Sequence, residues 1–305
     1  MNILITGGAG FIGSHIADLL IKNKHSVTII DNLANGNKRN LNPKAEFYQT
    51  DILNKLGKIF KKGEFDAIVH NAALIDVVES ESKPELYQQV NVQGTINLLE
   101  CCRKFNVKKF IYASSGGAIY GNPKYLPCDE KHPKNPINPY GKTKLEAENS
   151  LIDYSKKYGI NYTILRYSNI YGPRQHTLKG GVIAKFFNRI INNQELTIFG
   201  DGNQTRDFLF VEDAALANLC ALNVKNKIFN IGSGKPTSIN QLCEEIKKLL
   251  NKKIKITHKK PLKEIKNTCL DISLAREELH WQPKTELREG LRKTYQYYNS
   301  QHKNI

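Results

Sequence analysis

The chain has 305 residues, 40% of them hydrophobic and 24% charged, with a formal net charge of +16. That length suits two domains, or one large α/β domain with an appended part. No apolar run nears the ~20 residues of a membrane span and no basic leader opens the chain, so a soluble, cytoplasmic protein without a membrane partner is expected.

Ile3 to His15 reads ILITGGAGFIGSH: three apolar residues of a buried strand, a glycine turn, then an amphipathic helix from Phe11. Gly7 suits the positive φ of a tight strand-to-helix turn. Gly10 has no Cβ, so a diphosphate can approach its backbone, and Gly13 lets helix and strand lie close. The free amides at the start of that helix, around Phe11 and Ile12, and its dipole favour phosphate. A second strand, Ser26 to Ile30, ends in Asp31. A carboxylate there accepts from both ribose hydroxyls and repels a 2′-phosphate, which points to NAD rather than NADP.

A third strand is expected over Phe47–Thr50, closed by Asp51 and Ile52, which suit an adenine amino group and ring. Leu53–Lys62 reads as a short helix and Asp66–His70 as a fourth strand running into Asn71, Ala72 and Ala73, small enough for a dinucleotide to come close. His70 reads as a core histidine. Pro84 opens a long helix through Phe105 with Asn91 inside it, placed to bridge the strand-four loop to the nicotinamide side. Val107–Ser115 is the fifth strand, and Pro139 starts the next helix at a permitted first-turn position. Tyr162–Tyr167 is the sixth strand.

Strands and helices alternating at this spacing predict a doubly wound parallel α/β sheet of Rossmann type. Right-handed crossovers then gather the strand ends Gly7, Asp31, Asp51, Asn71, Ser115 and Tyr167 along one edge, where one ligand touches all of them.

Beyond Tyr167 a loop-like stretch, Ser168–Arg174, leaves the sheet. Helix is expected over Gly180–Asn193, strand over Leu196–Phe199, helix over Glu212–Leu222 and strand over Phe229–Gly232. Ser238 reads as the N-cap of a helix through Leu250. A lysine-rich strand and helices over Ile272–Leu279 and Leu287–Tyr298 finish the chain. The division expected is residues 1–167 for NAD, joined by a strand and helix from about 208–232, and a smaller α/β part over 168–305 for substrate. Six cysteines show no CxxC and no zinc-like spacing, so no metal is expected. Residues 1–150 hold 19 basic and 15 acidic residues and 151–305 hold 26 and 14, nets of +4 and +12. An anionic substrate accounts for that asymmetry. A nucleic-acid partner and a scattered lysine-rich surface are the other readings, and no nucleic acid is expected.

Tyr140 and Lys144 lie four apart in NPYGKTKLEAE, on one helix face. A tyrosine is a poor base at neutral pH; a nearby ammonium and an oxidised nicotinamide both favour its phenolate. Together, GGAGFIGSH, DNLANG, SSGGAIYG, NPYGKTKLEAE, LRYSNIYGPRQ, FGDGNQTRDFLFVED, FNIGSG and LDISLAREELHWQP resemble the NAD-dependent nucleotide-sugar epimerases of the extended short-chain dehydrogenase/reductase family. The resemblance covers nearly the whole chain. It implies inversion at C4 of a UDP-hexose, UDP-glucose or UDP-galactose first, through a transient 4-keto sugar, by a homodimer. Tyr140 would be the base and Lys144 its partner and cofactor anchor. Ser115, or its neighbour Ser114, would hydrogen-bond the reacting sugar oxygen. Asn32, Asn35, Gly36, Ala72, Ala73, Leu74, Asn91 and Tyr167 would join the glycine loop, Asp31, Asp51 and Ile52 around NAD. Asn169, Val182, Thr197, Phe199 and Arg206 would hold the substrate, and Arg206 would clamp the diphosphate.

The chain departs from the pattern twice. Gly116 stands where many relatives have Ser or Thr, and KPLKEIKN replaces an Arg-x-Gly-Asp/Glu stretch, with Lys263 as the stand-in, although Lys is not Arg at a bidentate site. Gly116-Gly117-Ala118 carries no carboxylate, which favours epimerisation over dehydration or decarboxylation. N-acetylated and uronic UDP-sugars remain as alternative substrates. The rival class is a non-catalytic NAD-binding regulator, or a nucleic-acid binder, on the same fold.

Overall fold

The structure, a computed structural model, describes residues 1–262 and 264–303. Its first half is β1 (Asn2–Thr6), α1 (Phe11–Lys22), β2 (Ser26–Asp31), β3 (Glu46–Gln49), α2 (Gly57–Gly63), β4 (Ala67–His70), α3 (Val77–Ser82), α4 (Pro84–Tyr87), a π-helical segment (Gln88–Gln93), α5 (Gly94–Phe105), β5 (Lys109–Ser115), α6 (Gly116–Tyr120), α7 (Pro139–Tyr158) and β6 (Asn161–Tyr167). Then come β7 (Asn169–Tyr171), α8 (Val182–Ile191), β8 (Leu196–Phe199), β9 (Thr205–Phe210), α9 (Val211–Ala221), β10 (Lys227–Ile231), β11 (Pro236–Ser238), α10 (Ile239–Leu250), β12 (Ile256–Lys259), α11 (Ser273–Glu278) and α12 (Leu287–Lys303).

Seven strands form one parallel sheet in the order β10-β6-β5-β4-β1-β2-β3, with the order reversing between β1 and β4. That is the doubly wound arrangement, and its ligand edge lies at the strand C-termini. Alternation along each strand builds two cores. Ile3, Ile5, Val69, Ile111 and Leu165 pack with α1 and α9 on one face. Leu4, Ile68, Phe110, Tyr112 and Ile164 pack with α2, α5 and α7 on the other. A third core joins Phe187, Ile198, Phe210, Leu242 and Leu291 beyond the sheet. Among the described residues no helix is long and apolar enough to cross a membrane. The six cysteines are all free.

Several expected elements shift. Asp51 to Lys55 is not helical: Asp51 Oδ1 accepts from Leu53 N at 2.9 Å, a local turn that competes with helix. The run expected as one helix from Pro84 is three segments, and the π-helical one turns Asn91 fully inward, 1% exposed. α3 and α6 are additions, the latter opening on Gly116 and Gly117. Asn169–Tyr171, expected as loop, is a strand because β9 pairs with it in register.

His70 fills the core as expected. Its ring nitrogens lie 2.6 Å from Thr6 Oγ1 and 3.0 Å from Thr95 Oγ1. Burial, with the Lys144 charge adding to it, pushes its pKa down to about 3 from 6.5. Below pH 6.5 the unfolded chain takes a proton here that the folded chain refuses, so this group's share of stability is complete above 6.5 and is lost as pH falls towards 3. We expect His70→Gln to lose roughly 2–3 kcal/mol less than the parent between pH 7 and pH 4.5 in urea denaturation. Equal losses would mean that the folded ring accepts the proton.

Candidate active site

The glycine turn is fixed by geometry. Gly7 has φ +71°, and a Cβ there would lie 2.7 Å from Ala72 N. A Cβ on Gly13 would strike the Gly7 carbonyl oxygen, whereas Gly10 faces open space apart from Gly7 O at 3.1 Å. Gly10 is the N-cap of α1 with no side chain on the free amides, and Phe11 and Ile12 form that first turn.

Asp31 ends β2 and is nearly buried. Its carboxylate accepts from Ala9 N at 3.0 Å and Leu33 N at 2.8 Å, and a Cβ on Gly36 would come within 2.7 Å of its Oδ1. Burial raises its pKa while those two amides oppose the rise. Asn32 donates to Asp51 Oδ2 at 2.7 Å. Asn35 accepts from Lys179 Nζ at 3.3 Å, which links this loop to the segment after Tyr171. Ile52 is 4% exposed and packs against Gly94. Its side chain belongs to the core. Tyr167 is likewise buried, its hydroxyl accepting from Asn218 at 2.6 Å.

Asn91 clamps the strand-four loop in both directions: Leu74 N donates to its Oδ1 at 2.8 Å and its Nδ2 donates to Leu74 O at 3.0 Å. The loop Ala72, Ala73, Leu74 is thereby held beside the glycine turn. Within it both polar side-chain atoms of Asn71 are buried and without a protein partner. An α1 N-terminus with no side-chain cap, an open approach at Gly10 where no Cβ intrudes, and an orphaned amide at Asn71 together fit a dinucleotide.

At the end of β5, Ser115 caps α6, accepting from Ala118 N at 3.4 Å. Tyr140 stands half-buried in the first turn of α7, capped by Asn138. Burial pushes its phenol up to about 12, and the hydrogen-bonded Ser115 hydroxyl works the other way. Lys144, 4% exposed, donates to Ala113 O at 2.8 Å and lies 4.8 Å over the Tyr112 ring. Burial pushes it down to about 7, opposed by the Glu148 charge. So the lowering of Tyr140 expected from Lys144 does not operate in the protein by itself: desolvation sets the direction, and only Ser115 opposes it. The cation that favours the phenolate must come with what binds there.

Behind these residues lies a network that sequence reasoning missed. Ser114 Oγ donates to Glu148 Oε1 at 2.6 Å, and Arg166 reaches both Glu148 oxygens at 3.0 and 2.6 Å. Ser114 is therefore committed to Glu148, and Ser115 is not. The signal was present as an arginine inside the apolar strand TILRY and a glutamate one turn after Lys144.

Of the residues expected on the substrate side, Asn169, Val182, Thr197, Phe199 and Arg206 all line one cavity of about 590 Å³. Lys263 lies outside the described residues.

A model of the NAD dependent epimerase/dehydratase family matches residues 3–232. A Methanocaldococcus jannaschii protein is 50% identical over 294 residues, covering 95% of this chain and 96% of its own. UDP-glucose 4-epimerase of Mycolicibacterium smegmatis is 35% identical, covering 98% of this chain and 99% of its own. The crystal structure of Thermotoga maritima UDP-glucose 4-epimerase with UDP-glucose superposes with a TM-score of 0.97 at 41% identity, covering 99% of this chain and 100% of that one.

Proposed function

Because the chain belongs to the NAD dependent epimerase/dehydratase family, we propose that it inverts C4 of a UDP-hexose, UDP-glucose and UDP-galactose being the pair, through a transient 4-keto sugar. The observation that carries this reading is the cluster at the end of β5. Ser115 lowers the phenol of Tyr140, which stands one helical turn from buried Lys144, and no carboxylate replaces Gly116, Gly117 or Ala118. Dehydration and decarboxylation need a further acid or base beside the ketone; epimerisation needs none.

A bound NAD supplies reversible acceptance of two electrons. The glycine turn, Asp31 and the Asn91-clamped loop would hold it. Tyr140 Oη exchanges a proton with the sugar 4-hydroxyl, and Ser115 hydrogen-bonds the same oxygen. Lys144 anchors the cofactor side. The cavity lined by Thr197, Phe199 and Arg206 grips the nucleotide end while the pyranose presents its other face. Dimerisation through the helices carrying Asn91 and Tyr154 is part of the same proposal.

Incubation with a panel of UDP-hexoses, plain, N-acetylated and uronic, followed by NMR of the C4 epimer, tests it. Epimer formation from UDP-glucose is expected. Indifference to the whole panel by protein that retains NAD would sink the reading.

A further inference from the structure

Lys144 is a buried charge with few protein groups to hold it. Among the described residues its Nζ spends one of its three donors, on Ala113 O at 2.8 Å. It joins no ion pair there. Glu148, whose charge supports it from the same helix, is itself taken by Ser114 and Arg166. A desolvated ammonium without a paired carboxylate is costly, so another group must face it.

That group is the ring of Tyr112. Lys144 Nζ lies 4.8 Å from the ring centroid, inside the ~6 Å at which an aromatic face attracts a cation. Backbone geometry brings the two together. Alternation along β5 turns Phe110 and Tyr112 to the sheet face that α7 covers and Ile111 to the other, and Ala113, which accepts from Lys144, is the next residue along the strand. The ring is fully buried and lies 5.5 Å from the His70 ring at 39°, a histidine that burial keeps neutral. The Tyr112 hydroxyl is buried too, and it has no hydrogen-bond partner among the described residues. The hydroxyl therefore gives the residue no task, and the ring does. Around the ammonium stand Glu148 and, one turn back, Tyr140 of its own helix, His70 of β4 and Tyr112 of β5; Arg166 of β6 is turned to Glu148.

We propose that Tyr112 is a positioning residue for Lys144: its ring face keeps the buried ammonium charged and beside Ala113 O, which leaves the two remaining donors for a bound ligand. The consequence for turnover rests on the epimerase reading. The contact itself belongs to the protein without substrate, so it is tested separately.

Carbon-13 NMR of the NAD-bound protein labelled at lysine Cε tests it, as a pH titration of the parent, of Tyr112→Phe and of a variant with a trifluorinated phenylalanine at position 112. The rings share a shape, but fluorine withdraws the negative face that attracts a cation. Both variants are expected to fold, because the hydroxyl they lack has no partner. The Lys144 signal is the one missing from Lys144→Gln. Lys109, which alternation puts on the opposite face of β5 and which burial also holds down to about 7, is the internal control. Lys144 is expected to titrate as in the parent in Tyr112→Phe and about one pH unit lower in the fluorinated variant, with Lys109 unmoved. A Lys144 that titrates unchanged in the fluorinated variant overturns the assignment. So does an equal fall in both variants, which would pass the role to the hydroxyl. If the ammonium is the active form, the alkaline limb of UDP-hexose turnover falls with it, in the fluorinated variant alone. A parent protein that turns over no UDP-hexose overturns the epimerase reading, while the NMR comparison still decides on Tyr112.

Discussion

Tyr140→Phe is expected to lower turnover of the proposed UDP-hexose substrate by a factor of about 10²–10⁴ and to leave bound NAD in place. The size is that of a positioned proton carrier, because the substitution removes one oxygen and nothing else. Cofactor retention follows from geometry: the glycine turn, Asp31 and the Asn91-clamped loop lie on other elements and keep their contacts. The phenol stands at about 12 in the protein by itself, raised by burial. It is therefore protonated at neutral pH until a cation arrives beside it, which couples its proton to the oxidised nicotinamide. Epimer yield by NMR and NAD released on denaturation are the two measurements. Turnover that survives the substitution would take Tyr140 out of the chemistry; loss of NAD along with activity would make it a structural residue.

Much of this site was legible because its signals are local. A glycine whose φ must be positive, a carboxylate closing the second strand and a tyrosine four residues before a lysine each write their constraint within a few positions. The sheet followed from the alternation of apolar strands and amphipathic helices. Contacts between distant segments escaped. β7 is three residues long and is a strand only because β9, nearly forty residues later, pairs with it. Asn91 was visible as a polar residue in a helix, but the π-helical turn that aims it at Leu74 was not. Arg206 reads as a free fork in FGDGNQTRDF, and only the fold brings Glu264 onto it. The sequence put Ser115 ahead of Ser114 but could not show that Glu148, 34 residues on, claims Ser114.

That claim carries the largest expected loss of stability. Glu148 and Arg166 are each 1% exposed and share two hydrogen bonds; burial alone would lower the Arg166 pKa, but the Glu148 carboxylate more than offsets it and holds the value above normal. Glu148→Ala leaves a buried guanidinium unpaired and strips Ser114 of its acceptor, and is expected to cost about 3–5 kcal/mol in urea denaturation. The pair need not be a net stabiliser for this to hold: replacing both partners, as Glu148→Leu with Arg166→Met, removes the orphaned charge and is expected to restore at least half of the loss. A single variant costing under about 1 kcal/mol would mean that water reaches the pair. The same two variants bear on turnover through Lys144. Burial pushes that lysine down to about 7, and the Glu148 charge is what opposes the fall. Removing a negative neighbour disfavours the ammonium, so the lysine in the refolded double variant loses its proton at a lower pH than in the parent. If the ammonium is the active form, the alkaline limb of the turnover profile then moves to lower pH although the fold has recovered. An unmoved limb would leave Glu148 a purely structural partner of Arg166.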